Sequence, residues 1–271
     1  MNESFFTDLL KILREVGSYQ LAAFRSNTFE SSVKNSFEMV SEIDVESERR
    51  LHRMLTDLVP GSSFYGEETV QERGNSLTWV VDPIDGTANY VSGYDIWTIS
   101  TALVNGDTVE AAMVYRPFTD EYFHAEKGNG AWYQNRLLPK RPPGTLRDSL
   151  IGTGFPFRSP DSEKQFFTCA SQMLKSCRDL RRSGSAALDL CFTAAGFLQG
   201  FWEIDLQPYD IAAGILMLQE TGCRVTDFFQ RPFDLFSSKS FAAAPEGVHQ
   251  QMCGILQSSY RSLDRIFRIH P

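Results

Sequence analysis

The chain has 271 residues, of which 42% are hydrophobic and 22% charged, and its formal net charge is −8 at pH 7. This composition is ordinary for a globular protein that buries a sizeable core, as one large domain or two small ones. The negative charge argues against broad binding of nucleic acids or anionic membranes through bulk electrostatics, so we expect no direct nucleic-acid or membrane partner.

The cysteines and the N-terminal stretch indicate a cellular compartment. The five cysteines are an odd number, and no pair has C-x-x-C spacing, so neither a disulfide framework nor a zinc site is expected. No window approaches the about 18 uninterrupted apolar residues of a membrane span. The N-terminus reads as an amphipathic helix rather than a signal peptide. These features favour a reducing cytoplasm.

The first 70 residues predict two helices, a loop and a strand. Apolar residues at helical spacing predict a helix over residues 3–25. The polar stretch 26–37 predicts a flexible loop. A second helix follows Asp44, which is a reasonable N-cap for it. A short strand after the Pro60-Gly61 turn should end just before Glu67.

Residues 77–87 are the most informative stretch. The apolar run 77–81 predicts a buried strand, and Pro83, which lacks a backbone donor, should end it. Asp82 and Asp85 then flank a turn, and residues 86–87 predict the start of a short helix with free N–H groups. Carboxylates for Mg²⁺, donors for a phosphate and a hydroxyl suggest metal-assisted phosphate ester hydrolysis. The alternative is that Asp-Pro and Asp-Gly are ordinary turn formers that merely end a strand.

The remainder alternates between strands and helices. A segment at 137–148 with three prolines and a glycine is the best candidate boundary between an N-terminal half, 1–140, and a C-terminal half, 141–271. The other predicted elements are strands at 97–105, 108–116, 119–125, 150–154, 201–205 and 240–244, and helices at 161–177, 186–197, 208–221 and 246–257.

The sequence W-V-V-D-P-I-D-G-T at 79–87 closely resembles a signature of the inositol monophosphatase family, the Mg²⁺-dependent, lithium-sensitive sugar phosphatases. Other segments resemble further elements of the family in the same order, and the C-terminal half is most similar to its bacterial branch. Four positions depart from the family pattern: Ser41, Tyr209, Thr221 and Cys223. The other matching segments are 40–44, 66–69, 127–131, 181–187, 209–214 and 220–227.

The resemblance implies a set of site residues. It implies two or three Mg²⁺ ions, with Mn²⁺ a possible substitute, held by Glu67, Asp82, Asp85, Asp210 and the backbone carbonyl of Ile84. Asp44, Thr87 and Glu67 would act in catalysis, the first two by polarising the attacking water. The phosphate and the sugar would contact Asp85, Gly86, Thr87, Gly184, Ser185, Ala186, Glu203 and Asp210.

Several of these residues also have purely structural interpretations. Asp44 can serve only as a helix cap, and Asp210 can interact favourably with a helix dipole. The small residues at 184–186 can allow close helix packing. Arg181 and Arg182 can shape the charge felt by a substrate, bind a partner or form an intersubunit salt bridge.

The implied fold is α/β, with helix and sheet layers in the order αβαβα, an antiparallel-rich first half and a mixed second sheet. The implied function is hydrolysis of inositol 1-phosphate by one integrated catalytic unit. The alternative substrates are fructose 1,6-bisphosphate, NADP, histidinol phosphate and 3′-phosphoadenosine 5′-phosphate. Family members usually form homodimers, and some bacterial ones associate with the transcription machinery, so a regulatory binding role is the alternative of another class.

Overall fold

The computed structural model describes residues 4–26, 30–33, 39–69, 73–74 and 77–264. The α-helices in these ranges are α1 Phe5–Ser26, α2 Glu42–Leu58, α3 Thr87–Val91, α4 Glu163–Ser176, α5 Ala186–Ala195, α6 Pro208–Glu220 and α7 Val248–Tyr260. The strands are β1 Ser31–Val33, β2 Met39–Ser41, β3 Ser63–Gly66, β4 Leu77–Asp85, β5 Thr98–Asn105, β6 Thr108–Arg116, β7 Glu121–Glu126, β8 Gly130–Tyr133, β9 Arg136–Leu137, β10 Leu150–Thr153, β11 Asp179–Arg181, β12 Gly200–Ile204, β13 Arg224–Thr226 and β14 Ser240–Ala244.

Two larger sheets organise the molecule. The first has the strand order β3-β4-β5-β6-β7-β8-β9 and is antiparallel except for the parallel pair β3–β4. The second has the order β11-β10-β12-β14-β13, in which β10 pairs in parallel with β11 and β12 while β14 pairs antiparallel with β12 and β13. The predicted antiparallel-rich first half and mixed second sheet are therefore confirmed.

Helices separate and cover these sheets. Helices α1 and α2 pack on one face of the first sheet, and α5 and α6 fill the space between the two sheets. Helices α4 and α7 cover the outer face of the second sheet. The layer order is αβαβα, as predicted. Both faces of β4 are buried, with Trp79 against α1 and Val80 against the central layer, which explains why its sequence is a continuous apolar run.

Three local predictions were wrong. Strand β4 continues past Pro83 to Asp85. The proline is tolerated because it lies in a register break between Asp82 and Asp85, where its missing N–H group is not needed for a hydrogen bond between strands. Part of the expected loop at 26–37 is strand β1, which pairs with β2; residues 27–29 and 34–38 lie outside the described ranges. The N-cap of α2 is Ser41, and Asp44 occupies the third helical position instead.

Candidate active site

A cavity of about 290 Å³ opens at the end of β4, between the two sheets. Asp44, which is fully buried, lies behind this cavity and reaches it through Thr87. All other residues predicted for the site line the cavity: Glu67, Asp82, Ile84, Asp85, Gly86, Thr87, Gly184, Ser185, Ala186, Glu203 and Asp210.

Three buried carboxylates form the centre of the cavity. Asp82, Asp85 and Asp210 each offer an oxygen atom, and these atoms lie within 4.8 Å of one another. Glu67 lines the same cavity but is not part of this close group. Three carboxylates so close together repel one another, and hard oxygen donors are the ligands that Mg²⁺ and Mn²⁺ prefer. The donor set therefore fits a divalent cation.

Asp85 is held by the N-terminus of α5, from the other half of the chain. The backbone N–H groups of Ala186 and Ala187 donate to its two carboxylate oxygens at 3.1 and 2.9 Å, and the Ser185 hydroxyl also donates to it. Ser185 is the N-cap of α5 and is buried. The predicted role of Ser185 and Ala186 in contacting sugar hydroxyls stays a prediction; in this geometry both residues support a carboxylate of the acidic group.

Two helix capping boxes orient two other acidic residues. At the start of α6, the Gln207 N–H donates to Asp210 at 2.7 Å, and Pro208 occupies the first turn as the sequence predicted. At the start of α2, the Ser41 N–H donates to Asp44 Oδ2 at 2.9 Å. In each case the helix start fixes the carboxylate, so the structural and functional interpretations are compatible.

Thr87 connects the cavity to Asp44. Its hydroxyl lies 2.9 Å from Asp44 Oδ1 and 3.0 Å from the carbonyl oxygen of Ile84. A hydroxyl has one proton, so Thr87 can donate to only one of these acceptors at a time. When it donates to Asp44, its lone pairs are available to a donor in the cavity.

Gly86 is required by both backbone geometry and space. Its φ is 106°, in the left-handed region, and it is the N-cap of α3. A Cβ at this position would stand 3.0 Å from the carbonyl oxygen of Ile96 and 3.1 Å from that of Gly184. Any other residue would thus separate the turn at 85–87 from the loop that precedes α5.

Burial dominates the electrostatics of the site. It raises the pKa of Asp85 to about 7 and that of Asp44 to about 6. Burial, followed by the charges of Glu67 and Asp85, raises the pKa of Asp82 well above its usual range. Burial also raises the pKa of Glu203 strongly, with a smaller contribution from Asp210. Without a cation, these four carboxyl groups therefore keep their protons to a higher pH than in the unfolded chain.

These shifts predict a pH-dependent response to Mg²⁺. In the unfolded chain the carboxyl groups titrate at a pKa of about 4. The folded state binds these protons more tightly than the unfolded chain does. The metal-free protein therefore loses stability as the pH rises from about 4, the pKa in the unfolded chain, through 6 and 7, the pKa values of Asp44 and Asp85 in the folded state. Saturating Mg²⁺ should raise Tm by about 5–10 °C at pH 8 and by much less at pH 5, where protons compete.

Thermal unfolding with Mg²⁺ or with a chelator, at both pH values, measures this response. NaCl at the same ionic strength is the control, because general screening of the acidic surface also changes Tm. Equal Mg²⁺-induced shifts at pH 5 and pH 8 would contradict the prediction.

Sequence reasoning missed several residues that line the cavity, among them Arg158, Asp189, Phe155 and Phe157. Arg158 donates to Asp210 at 2.9 Å. Asp189, on α5, is buried at the cavity wall, and burial raises its pKa to about 7. Phe155 and Phe157 line the cavity mouth. The loop residues have no periodicity of their own, and Asp189 lies within an apolar helix; its charge among small and apolar neighbours was the one available signal.

Gln20, on α1, supports the turn from below. Its side-chain amide donates to the Pro83 carbonyl at 2.8 Å and to the Ser47 hydroxyl at 3.1 Å, and it accepts from the Trp97 ring N–H at 3.2 Å. The register break in β4 leaves the Pro83 carbonyl without a ladder partner, and a buried carbonyl needs one. The sequence signal for this contact was a glutamine at helical spacing with the apolar residues of α1.

The fold and the site define a layered α/β protein with a buried acidic cavity suited to divalent cations. The profile of the inositol monophosphatase family matches residues 3–261. The chain belongs to the inositol monophosphatase family.

Relatives in the family carry two kinds of name. The chain is 33% identical to an inositol-1-monophosphatase of Caulobacter vibrioides, over 84% of this chain and 91% of that protein. It is 32% identical to the Nus factor SuhB of Vibrio cholerae, over 88% and 91% of the two chains. The extragenic suppressor protein suhB of Bartonella henselae has a similar structure, with a TM-score of 0.88, 30% identity and coverage of 94% and 99%. In the described part of the chain, no helix has the length and apolar character to cross a membrane.

Proposed function

We propose that this chain is a Mg²⁺-dependent phosphate monoester hydrolase whose substrate is inositol 1-phosphate or a closely similar phosphorylated polyol. The observation that carries the proposal is the convergence of Asp82, Asp85 and Asp210 in a cavity that also contains the Thr87–Asp44 pair. Membership of the family supports the same reaction class.

The metal would be held by Asp82, Asp85 and Asp210, with Glu67 and the Ile84 carbonyl as further predicted ligands. Bound cations would offset the charge of the phosphate and lower the pKa of a coordinated water. The chain's own contribution is positional. Because the Thr87 proton can point toward Asp44, Thr87 can accept a hydrogen bond from a water beside the phosphate and so polarise that water. Gly86 and Thr87 are predicted to offer their N–H groups to the phosphate.

The polyol would contact Glu203. This side chain is nearly buried on the cavity wall, where a carboxyl group can bind two adjacent hydroxyls. Phosphate release from a panel of monoesters tests the assignment, with Mg²⁺, with Mn²⁺ and with added Li⁺. We expect inositol 1-phosphate to be hydrolysed with either metal and lithium to inhibit. Absence of release from every monoester would refute the hydrolase proposal.

A second candidate is a substrate with an additional phosphate group, such as fructose 1,6-bisphosphate, 3′-phosphoadenosine 5′-phosphate or NADP; histidinol phosphate, the remaining alternative, carries an amine and an imidazole instead. Two guanidinium groups favour it. Arg158 and Arg182 both line the cavity, and the charges of both act on Glu203. Arg182 lies over the Phe155 ring at 5.5 Å, and within the described residues it forms no ion pair. A planar guanidinium at the mouth can bind a second phosphate with two hydrogen bonds.

Replacing Arg182 by glutamine separates the two candidates. If a second anion binds there, the change should lower kcat/KM for fructose 1,6-bisphosphate by about 10- to 100-fold, the loss of one charge-assisted contact, and leave inositol 1-phosphate within about threefold. Steady-state kinetics on both substrates measure the ratio. Arg181→Gln is the matched control, because Arg181 is exposed and pairs with Asp179. Parallel loss on both substrates, or on neither, would exclude the second-anion subsite.

A binding role in transcription is the alternative of another class, and the Nus factor name of the Vibrio cholerae relative supports it. Catalytically inactive variants would keep the cellular function under this alternative and lose it if hydrolysis matters.

We further propose that the two halves, 1–140 and 141–271, act as one catalytic unit in a cytoplasmic homodimer. The shared central core supports the single unit, the five unpaired cysteines support the reducing compartment, and light scattering tests the dimer.

A further inference from the structure

A buried glutamate of α2 lies directly beneath the segment that carries Glu67. Glu48 has no solvent-exposed surface. Its Oε2 accepts from the Glu68 N–H at 2.7 Å, and its Oε1 accepts from the Thr69 N–H at 2.8 Å and from the Thr69 hydroxyl. One carboxylate thus fixes three donors of the two residues that follow Glu67. Burying a carboxylate costs free energy unless hydrogen bonds satisfy its oxygen atoms, and these three donors do so for Glu48.

The residue before Glu67 makes room for this contact. A Cβ at Gly66 would overlap the Glu48 carboxylate. Gly66 has no positive φ, so the backbone conformation does not require glycine here. The glycine is needed because of the close approach of the Glu48 side chain to β3.

The same helix also carries Asp44, one turn before Glu48. Asp44 contacts Thr87 at the cavity, and Glu48 contacts the segment that presents Glu67 to the cavity. Residues four apart lie on one face of a helix. Helix α2 therefore fixes two parts of the site relative to each other, although Glu48 itself does not line the cavity.

We propose that Glu48 is a positioning residue that holds Glu67 in place for the cation, so that its loss weakens Mg²⁺ binding more than it weakens the fold. This rests on the proposed metal-dependent function. Without the three hydrogen bonds, the segment 67–69 has fewer constraints, and Glu67 must be ordered when the metal binds. Residues that orient metal ligands typically change metal affinity by about 10- to 100-fold when replaced.

Glu48→Gln tests the role with little change in shape. One of its terminal groups becomes a donor that faces an N–H donor, so at least one hydrogen bond is lost. Titration calorimetry of the full chain with MgCl₂, without substrate, should show a rise in Kd of about tenfold or more. At saturating Mg²⁺, kcat should stay within about threefold of the unmodified protein, because the catalytic groups are unchanged.

Three further variants complete the test. Glu46→Gln is the matched control on the same helix, since Glu46 pairs with Arg49 and Arg50 at the surface and should leave Mg²⁺ binding unchanged. Thr69→Val removes only the hydroxyl contact to Glu48 and should weaken Mg²⁺ binding, whereas Thr69→Ser should restore it. The Thr69 pair decides the matter if Glu48→Gln does not fold, because Thr69 is exposed.

Urea unfolding in a chelator measures the fold separately. The proposal is supported if Glu48→Gln and Thr69→Val both bind Mg²⁺ more weakly, and if this weakening is larger than their loss of metal-free stability can explain. Unchanged Mg²⁺ affinity in both variants, with or without lost stability, overturns it and leaves Glu48 a structural residue. Failure of the unmodified protein to bind Mg²⁺ overturns the proposed function instead, and the inference with it.

Discussion

Asp85→Asn is expected to lower phosphate release by at least about 1,000-fold while the protein stays folded. Asp85 belongs to the group of three carboxylates, and an amide is a poor ligand for a hard cation. The lost charge leaves Asp82 and Asp210 to bind the cation with one fewer anionic donor. Calorimetry with MgCl₂ should show correspondingly weak binding.

The fold should survive because the ionised carboxylate is unfavourable in the metal-free state. Burial raises the pKa of Asp85 to about 7, so a neutral side chain of the same shape removes repulsion within the acidic group. The amide oxygen can still accept from the Ala186 N–H, and the Ser185 hydroxyl can rotate to accept from the new amide nitrogen, so only the hydrogen bond from the Ala187 N–H is lost. Circular dichroism and urea unfolding check this.

Asp189→Asn is the matched control for this experiment. Asp189 is also a buried carboxyl group at the cavity wall, and burial likewise raises its pKa to about 7, but it lies outside the group of three. Its replacement should leave Mg²⁺ affinity within about threefold, less than the about 10- to 100-fold effect of residues that orient metal ligands, because Asp189 contributes no oxygen to that group. Near-normal turnover by Asp85→Asn would refute the site.

Thr87→Val is expected to lower kcat by about 100- to 10,000-fold, the range of a lost general acid–base contribution. Valine keeps the shape of the side chain but removes the hydroxyl that lies 2.9 Å from Asp44 and 3.0 Å from the Ile84 carbonyl. The protein should lose about 1–2 kcal/mol of stability, because the buried Asp44 then lacks one donor.

Thr87→Ser separates the chemistry from the packing. Serine keeps the hydroxyl and loses one methyl group, so kcat should remain within about tenfold of the original value. Mg²⁺ affinity should be similar in the serine and valine variants, since neither changes a carboxylate ligand. Equal kcat values for the two variants would show that the hydroxyl does not polarise the nucleophile.

The elements were largely predictable because their signals are local. The apolar run of β4 indicates a strand that is buried on both faces, and the helical spacing of apolar residues in α1 indicates a helix with one buried face. The proline in the first turn of α6 marks the start of that helix. The errors came where two local rules competed. Pro83 normally ends a strand, but a register break let β4 continue to Asp85.

The site required a different kind of information. The sequence named Asp82 and Asp85 together because they share one turn, and it named Asp210 through a second motif far along the chain. It could not find Arg158, an isolated loop residue, since its contact with Asp210 spans 52 positions. The resemblance to the family implied that Ser185 contacts sugar hydroxyls. Nothing in the sequence indicated that the Ser185 hydroxyl donates to Asp85.

By itself the sequence determined the helices and the longer strands, although not short strands such as β1 and β11, and it identified the two carboxylates of the D-P-I-D turn. Those properties depend on the spacing of residues over short segments, and this spacing can be read directly from the sequence. Only the tertiary structure decided that the start of α5 meets Asp85, that Asp210 joins Asp82, and that Glu48 lies beneath Glu67. Such contacts follow from how two sheets and their helices stack, because the free energy of burying each layer, rather than any local pattern, brings distant residues together.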